Sequence, residues 1–225
     1  MKIIGMIPAR LGSTRVKNKN LRYLGEQPLV SYILDAASKS NLLDEVYLNS
    51  EGLIFNGLSE SYGINFYHRS DELASNNATN DDFVLDFIEN IECDILIQLL
   101  PTSPFITPEQ IDGFIQNMIE GNLDTLVSVY NVQIESIFNG SPINFDQKKQ
   151  TPPSQLLEPI QAYACGLMGW KCKNFIENMQ NFGAAYHGGN GKIGFFELSG
   201  NSTVDIDREE DFILAESVLA SKDNQ

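Results

Sequence analysis

An α/β fold, a Rossmann-like and mostly parallel sheet flanked by helices, is what this sequence predicts. Two observations carry that expectation. Over the first half of the chain, short β-branched or aliphatic runs bounded by turn residues alternate with stretches of helical periodicity. The 225-residue chain is also 42% hydrophobic, long enough to bury a sizeable core as a single domain spanning 1–225. It contains neither internal repeats nor a low-complexity tract.

Taken in order, the runs predict strands over 2–7, 45–49, 65–67, 95–99 and 124–129. Helices are predicted between them over 28–40, 52–62, 80–91 and 108–120, the second and fourth closed by Gly63 and Gly121. The pattern then loosens into "NVQIESIFNGSPINFDQKKQTPPSQLLEPIQ", polar and rich in proline. A segment of this kind is a flexible insertion or an arm that orders against a partner subunit; long loops being usually functional, we expect a dimerisation arm over about 131–160. Beyond it "AYACGLMGW" reads as a strand, 171–181 as a helix, "KIGFFEL" as a strand and 208–220 as a terminal amphipathic helix.

Charge narrows the function. At a formal net charge of -15 the chain repels polyanions, which argues against nucleic acid or an anionic membrane as partners. No run of about 18 apolar residues is present, and "KIIGMIPA" lacks the pattern of a secretory signal, so a cytoplasmic location is expected. Yet six of the fifteen basic residues, Lys2, Arg10, Arg15, Lys17, Lys19 and Arg22, precede the first acid, Glu26. The three cysteines, Cys93, Cys165 and Cys172, form no C-x-x-C pair and read as small buried apolar residues. With only His68 and His187 and no G-x-S-x-G, a His-rich metal centre or a serine hydrolase is not expected.

The basic cluster centres on "ARLGSTR", placed after the first strand at the carboxyl edge of the sheet, where open α/β folds bind ligands. Gly12 permits close backbone approach, Ser13 and Thr14 offer hydroxyls, and Arg10, Arg15, Lys17 and Lys19 offer charge. Neither a Walker A loop nor a G-x-G-x-x-G fingerprint is present, so the loop predicts a phosphate-binding site of another type. A second cluster, "STVDIDREEDF", sets Asp205 and Asp207 two apart, on one side of the chain if 204–206 is extended. Asp207 followed by "REE" also reads as a helix N-cap, with Glu210 completing a capping box.

"IPARLGSTRVKNKN" resembles the first motif of the sugar-activating cytidylyltransferases, above all the acylneuraminate cytidylyltransferases, with the CMP-Kdo synthetases related through "GSTR". "PLVSYILDAA", "HRSDELASNNAT", "LLPTSPFITPEQID" and "STVDIDREEDFILAE" follow in the family's order, so the likeness covers nearly the whole chain. The resemblance implies a Mg²⁺-dependent transfer of CMP from CTP to the anomeric hydroxyl of an acidic sugar, by a homodimer. It implies Arg10 and Lys19 as the catalytic cations on the triphosphate. Ala9, Leu11, Gly12 and Ser13 would line the nucleotide loop, Asn20 would meet the ribose, and Arg69, Ala78 and Asn80 would read the cytosine. Asp205 and Asp207 would hold Mg²⁺ together with substrate phosphates.

The acceptor pocket, by the same resemblance, draws on Gln98, Leu100, Thr102, Ser103 and Cys165, and here the chain departs from the family. "LLPTSPFI" stands where "LQPTSPLR" is usual, so Leu100 replaces glutamine and Ile106 replaces arginine, while Cys165 of "CGLMGW" replaces the asparagine of "NGAIYI". Lost hydrogen bonds to a buried acceptor weigh about 1–3 kcal/mol each, so these changes favour a more apolar acceptor, such as a deoxy or diamino nonulosonic acid. The alternatives are a nucleotide-binding homologue without catalysis and a same-fold enzyme acting on Kdo or another acceptor.

Overall fold

The computed structural model describes residues 1–13 and 15–222; Thr14, one of the two hydroxyls expected in the basic loop, lies outside the described residues. The chain opens with strand β1 (Ile3–Pro8), the basic loop, and a small hairpin of β2 (Tyr23–Leu24) and β3 (Gln27–Pro28). There follow α1 (Leu29–Ser38), β4 (Glu45–Ser50), α2 (Ile54–Ser61), β5 (Asn65–His68), α3 (Asn80–Asn90), β6 (Ile95–Leu99), α4 (Pro108–Glu120) and β7 (Thr125–Val132). A second hairpin, β8 (Ile137–Phe138) and β9 (Ser141–Pro142), lies in the arm segment. Beyond it come β10 (Ile160–Lys171), α5 (Cys172–Phe182), β11 (Ile193–Glu197) and α6 (Glu209–Lys222).

Seven strands make one sheet in the order β11-β7-β10-β6-β1-β4-β5. β1 pairs in parallel with both β4 and β6, β4 with β5 and β11 with β7, whereas β10 runs antiparallel to β6 and β7. The sheet therefore grows in one direction from β1 through β4 and in the other through β6. Between the carboxyl ends of β1 and β6 lies the crevice that such a reversal leaves for a ligand.

Local sequence explains the helix starts. Thr79 and Asp82 exchange side-chain and backbone hydrogen bonds in a capping box that opens α3. Thr107 and Gln110 do the same for α4, with Pro108 in the first turn where its missing N–H is harmless. α5 ends on Gly183 at φ 66, a left-handed conformation that glycine adopts without strain. At α6 the expected capping box is corrected: the helix begins at Glu209, so its third residue is Asp211. The Asp211 carboxylate accepts the N–H of Asp207 at 2.9 Å and of Arg208 at 2.8 Å. Neither Glu210 nor the Asp207 side chain is needed as a cap.

Three buried clusters position the site. One lies under α1 and α4 and includes Val30, Ile33, Phe114 and Ile115. The second packs α3 and α5 on the other face, with Trp170 edge-on to Phe175 at 5.4 Å between ring centroids. The third joins α6 to the basic loop through Val16, Leu24, Ile206 and Phe212. Burying each such side chain is worth roughly 1.5–3 kcal/mol, so a loop rich in like charges is pinned by its few apolar residues. The arm segment is built differently: Ile137 and Phe138 are more than 60% exposed.

Candidate functional site

The basic loop leaves β1 and folds over the crevice. Ala9 is buried, its N–H on the Asn49 carbonyl at 3.0 Å. Asn20, also buried, donates to the Arg10 carbonyl at 3.0 Å and so braces the turn from inside. The Leu11 N–H bonds Glu51 at 2.7 Å, and the Leu11 side chain lies over Gly52, where an added Cβ would meet it at 2.7 Å. Glycine at 52 is what lets the loop close down.

Cations and carboxylates are already arranged inside this frame. Arg69 is buried with its guanidinium 3.4 Å from Glu51 and stacked over the Phe83 ring at 5.2 Å. Burial pulls its pKa below the ordinary value, and Glu51 opposes that shift. Arg10 reaches Asn76 at 3.2 Å. Across the crevice, Lys19 sits 3.2 Å from Asp207 and also donates to the Ile206 carbonyl, while Arg15 bonds Asp207 at 2.8 Å.

Asp205 and Asp207 flank Ile206, whose N–H bonds the Thr102 carbonyl at 2.8 Å and whose side chain is fully buried. The alternation turns both carboxylates into the crevice, as the spacing predicts. Asp205 Oδ1 is buried without a hydrogen-bond partner. Burial pushes its carboxyl pKa up and Asp207 adds to the shift, whereas the Thr102 hydroxyl pulls it down. A buried carboxylate oxygen with no partner, beside a second carboxylate, is a donor set suited to a hard divalent cation. Among the described residues no three His, Cys, Asp or Glu side chains cluster, so substrate oxygens and water would complete the shell.

Arg10, Ser13, Lys19, Asn20, Arg69, Asn80, Leu100, Thr102, Cys165, Asp205 and Asp207 line one cleft of about 400 Å³. An adjoining hollow of about 510 Å³ adds Ala78 to Arg10, Arg69 and Asn80. The other candidates lie outside the lining. Ala9 is beneath the loop, Leu11 is over Gly52, and Gly12 is exposed with nothing within 4 Å of an added Cβ. Gln98 is buried one layer back, donating to Asn80 at 3.2 Å with Oε1 unpartnered, and Ser103 is buried with its Oγ unpartnered.

Three side chains had no sequence signal, Glu51, Tyr186 and His187, whereas Cys165 was expected and only the irregularity that places it was not. Glu51 fastens the loop to Arg69. Cys165 stands at φ 56 in the irregularity of β10 between Tyr163 and Met168, which turns it beside Leu100. Tyr186 lines both hollows and His187 one; Tyr186 is held by its carbonyl on Trp170 Nε1 at 3.1 Å and by its N–H on Asp81 at 2.8 Å. The cleft thus joins a wall rich in cations to a wall of Leu100, Cys165 and the Tyr186 ring.

A family model described as Cytidylyltransferase matches residues 4–150. The N-acylneuraminate cytidylyltransferase of Escherichia coli is 27% identical over 246 residues, covering 100% of this chain and 54% of that protein. The CMP-N,N'-diacetyllegionaminic acid synthase of Legionella pneumophila is 29% identical over 150 residues, 64% of this chain and 60% of that protein. The chain spans about half the length of the N-acylneuraminate cytidylyltransferases it matches. A solved structure of a CMP:2-keto-3-deoxy-manno-octonic acid synthetase complexed with CTP superposes with a TM-score of 0.77 at 16% identity, covering 99% of this chain and 100% of that one, and shares the fold.

Proposed function

The chain belongs to the cytidylyltransferase family, and on that premise we propose that it transfers the CMP group of CTP to the anomeric hydroxyl of an acidic sugar, a sialic acid or related nonulosonic acid, releasing pyrophosphate. The observation that carries the reading is the cleft at the β1/β6 crevice, where Arg10, Arg15, Lys19 and Arg69 converge with Asp205 and Asp207 in a chain otherwise strongly acidic. Phosphoryl transfer asks little covalent chemistry of the protein; positioning and charge neutralisation do most of the work.

Arg10 and Lys19 bind the triphosphate and stabilise charge growing on the α-phosphoryl oxygens. Lys19 and Arg15, which pair with Asp207 here, turn to phosphate oxygens, and Asp205 and Asp207 would then be the residues that hold Mg²⁺. Bound there, the ion would neutralise phosphate charge and lower the acceptor hydroxyl's pKa. Arg69, Ala78 and Asn80 hold the base, and Asn20 keeps the loop shaped for the ribose. Arg69 on Glu51 and Asn20 on the Arg10 carbonyl are already held before ligand arrives, so for these two little reorganisation is spent in the transition state.

Leu100, Cys165 and Tyr186 supply the acceptor wall with few hydrogen-bonding groups, which favours a deoxy or diamino nonulosonic acid over a fully hydroxylated sialic acid. We further propose a homodimer through the arm, on the exposure of Ile137 and Phe138, and a cytoplasmic location, where nucleoside triphosphates are kept. The test is pyrophosphate release with Mg²⁺, each NTP and a panel of sialic, legionaminic, pseudaminic and Kdo acids, with products identified by mass. A CMP-sugar from one acceptor that disappears in Asp205→Asn supports the reading. CTP binding with no turnover on any acceptor overturns it.

A further inference from the structure

Far from the cleft, two of the three cysteines meet. Cys93 lies in the turn after α3 and Cys172 is the first residue of α5, 79 positions apart, yet their Sγ atoms are 2.7 Å apart. The backbone holds them there: the Cys172 N–H bonds the Asp94 carbonyl at 2.9 Å, and the Asp94 carboxylate accepts the Lys2 N–H at 2.6 Å. Cys172 is buried and Cys93 half-buried, so of this pair a small reagent reaches Cys93.

We propose that Cys93 and Cys172 are a modification site, a dithiol that a small-molecule disulfide converts to an intramolecular disulfide. The two thiols are unequal in the way this chemistry needs. The contact with Cys172 holds the Cys93 thiol below its ordinary pKa, and Lys2 adds to that, while Cys172 is pushed up. Cys93, the more exposed of the two, is the attacking sulfur and the buried Cys172 the resolving one. The Cys93 thiolate attacks one sulfur of the reagent, whose S–S bond breaks and releases one thiolate. Cys172 Sγ then gives its proton to water and attacks Cys93 Sγ, expelling the second thiolate. Two protein thiols are oxidised, and one small disulfide is reduced to two thiols.

The position gives the bond a consequence. α3 and α5 pack side by side, and at their cleft end Asp81 on α3 accepts the N–H groups of Ala185 and Tyr186 at 2.6 and 2.8 Å. That end presents Asn80 and Tyr186 to the cleft. The disulfide fastens the opposite end of the same helix pair, so oxidation stabilises the scaffold behind the base-binding wall.

The experiment uses the full chain and oxidised glutathione, and it is independent of what the cleft binds. Accessible thiols after denaturation should fall from the three of the sequence to one, with the mass reduced by two hydrogen atoms and a linked peptide joining Cys93 to Cys172. The oxidised protein should melt higher than the reduced one by about 5 °C or more. Cys93→Ser should abolish the linked peptide and the shift together, and Cys172→Ala should leave Cys93 as a stable glutathionyl adduct. A wild-type protein that stops at the glutathionyl adduct on Cys93, or keeps all three thiols at excess reagent, overturns the proposal.

Discussion

The two walls of the cleft are built on opposite plans. On the wall we propose for the nucleotide each cation already has a partner: Arg69 on Glu51, Arg10 on Asn76, and Lys19 and Arg15 on Asp207. On the acceptor wall, polar groups are withdrawn or idle. Gln98 and Ser103 are buried with unpartnered oxygens, and Leu100 and Cys165 face the cleft instead. On the proposed function, the wall that handles phosphate is the one whose charges are paired, and the wall that would choose the acceptor is the one with few polar groups facing the cleft. Substitutions should therefore act on rate at the first wall and on choice at the second.

The largest effect is expected from Lys19→Ala or Arg10→Ala. Removing one preorganised charge from a phosphoryl-transfer site should lower kcat by about 10²–10³-fold, measured by pyrophosphate release at saturating CTP. An equal loss from Leu100→Ala would erase the distinction between the walls. Arg69→Met comes next, because it leaves Glu51 largely buried without its cation. Breaking a buried pair this way should reduce stability by roughly 3 kcal/mol, read from urea unfolding, and weaken CTP binding as well.

Changing the acceptor wall should redirect rather than disable. Leu100→Gln with Cys165→Asn restores two groups the family pattern carries, each worth about 1–3 kcal/mol where it meets a buried substrate polar atom. With both groups engaged, the ratio of kcat/KM for a sialic acid over a deoxy or diamino nonulosonic acid should rise by about thirtyfold or more. Position 165 tolerates the exchange, since its φ of 56 is left-handed and asparagine adopts that region more readily than other side-chain-bearing residues. Cys165→Val, β-branched in the same conformation, should instead destabilise the fold by about 1–2 kcal/mol in the same urea assay.

The same division explains what was legible in the sequence. The nucleotide wall comes mainly from one contiguous loop after one strand, so its charge and glycine stood together in a single stretch. Asp205 and Asp207 were readable because alternation is a local rule. The acceptor wall is assembled from the end of β6, an irregularity in the long β10, and the turn carrying Tyr186, three places that no local pattern connects. The reversed direction of β10 was equally hidden, since the alternation of a strand tells which face each side chain takes and not which way the strand runs. The Cys93 and Cys172 contact joins residues far apart in sequence, and the α6 cap was misplaced because the helix starts one residue later than its acidic run suggests.

The smallest effect belongs to a region that serves neither wall, and it tests whether stability and choice separate. Asp124, the residue before β7 and outside the lining of the cleft, accepts the Lys192 N–H at 2.8 Å and the Lys171 ammonium at 2.9 Å. The Lys192 N–H foremost, then Lys171, hold its carboxyl below the ordinary pKa. A carboxyl depressed in the folded state contributes stability above its unfolded pKa of about 3.9 and loses it as the pH falls through the folded value. Asp124→Asn should therefore lower stability by about 1 kcal/mol or less near neutrality, where the groups are partly solvated. The gap from wild type should close only in acid, while KM for both substrates stays unchanged. A shift in acceptor KM in this variant would mean that the far edge of the sheet reaches the acceptor wall, and the independence of the two walls would have to be given up.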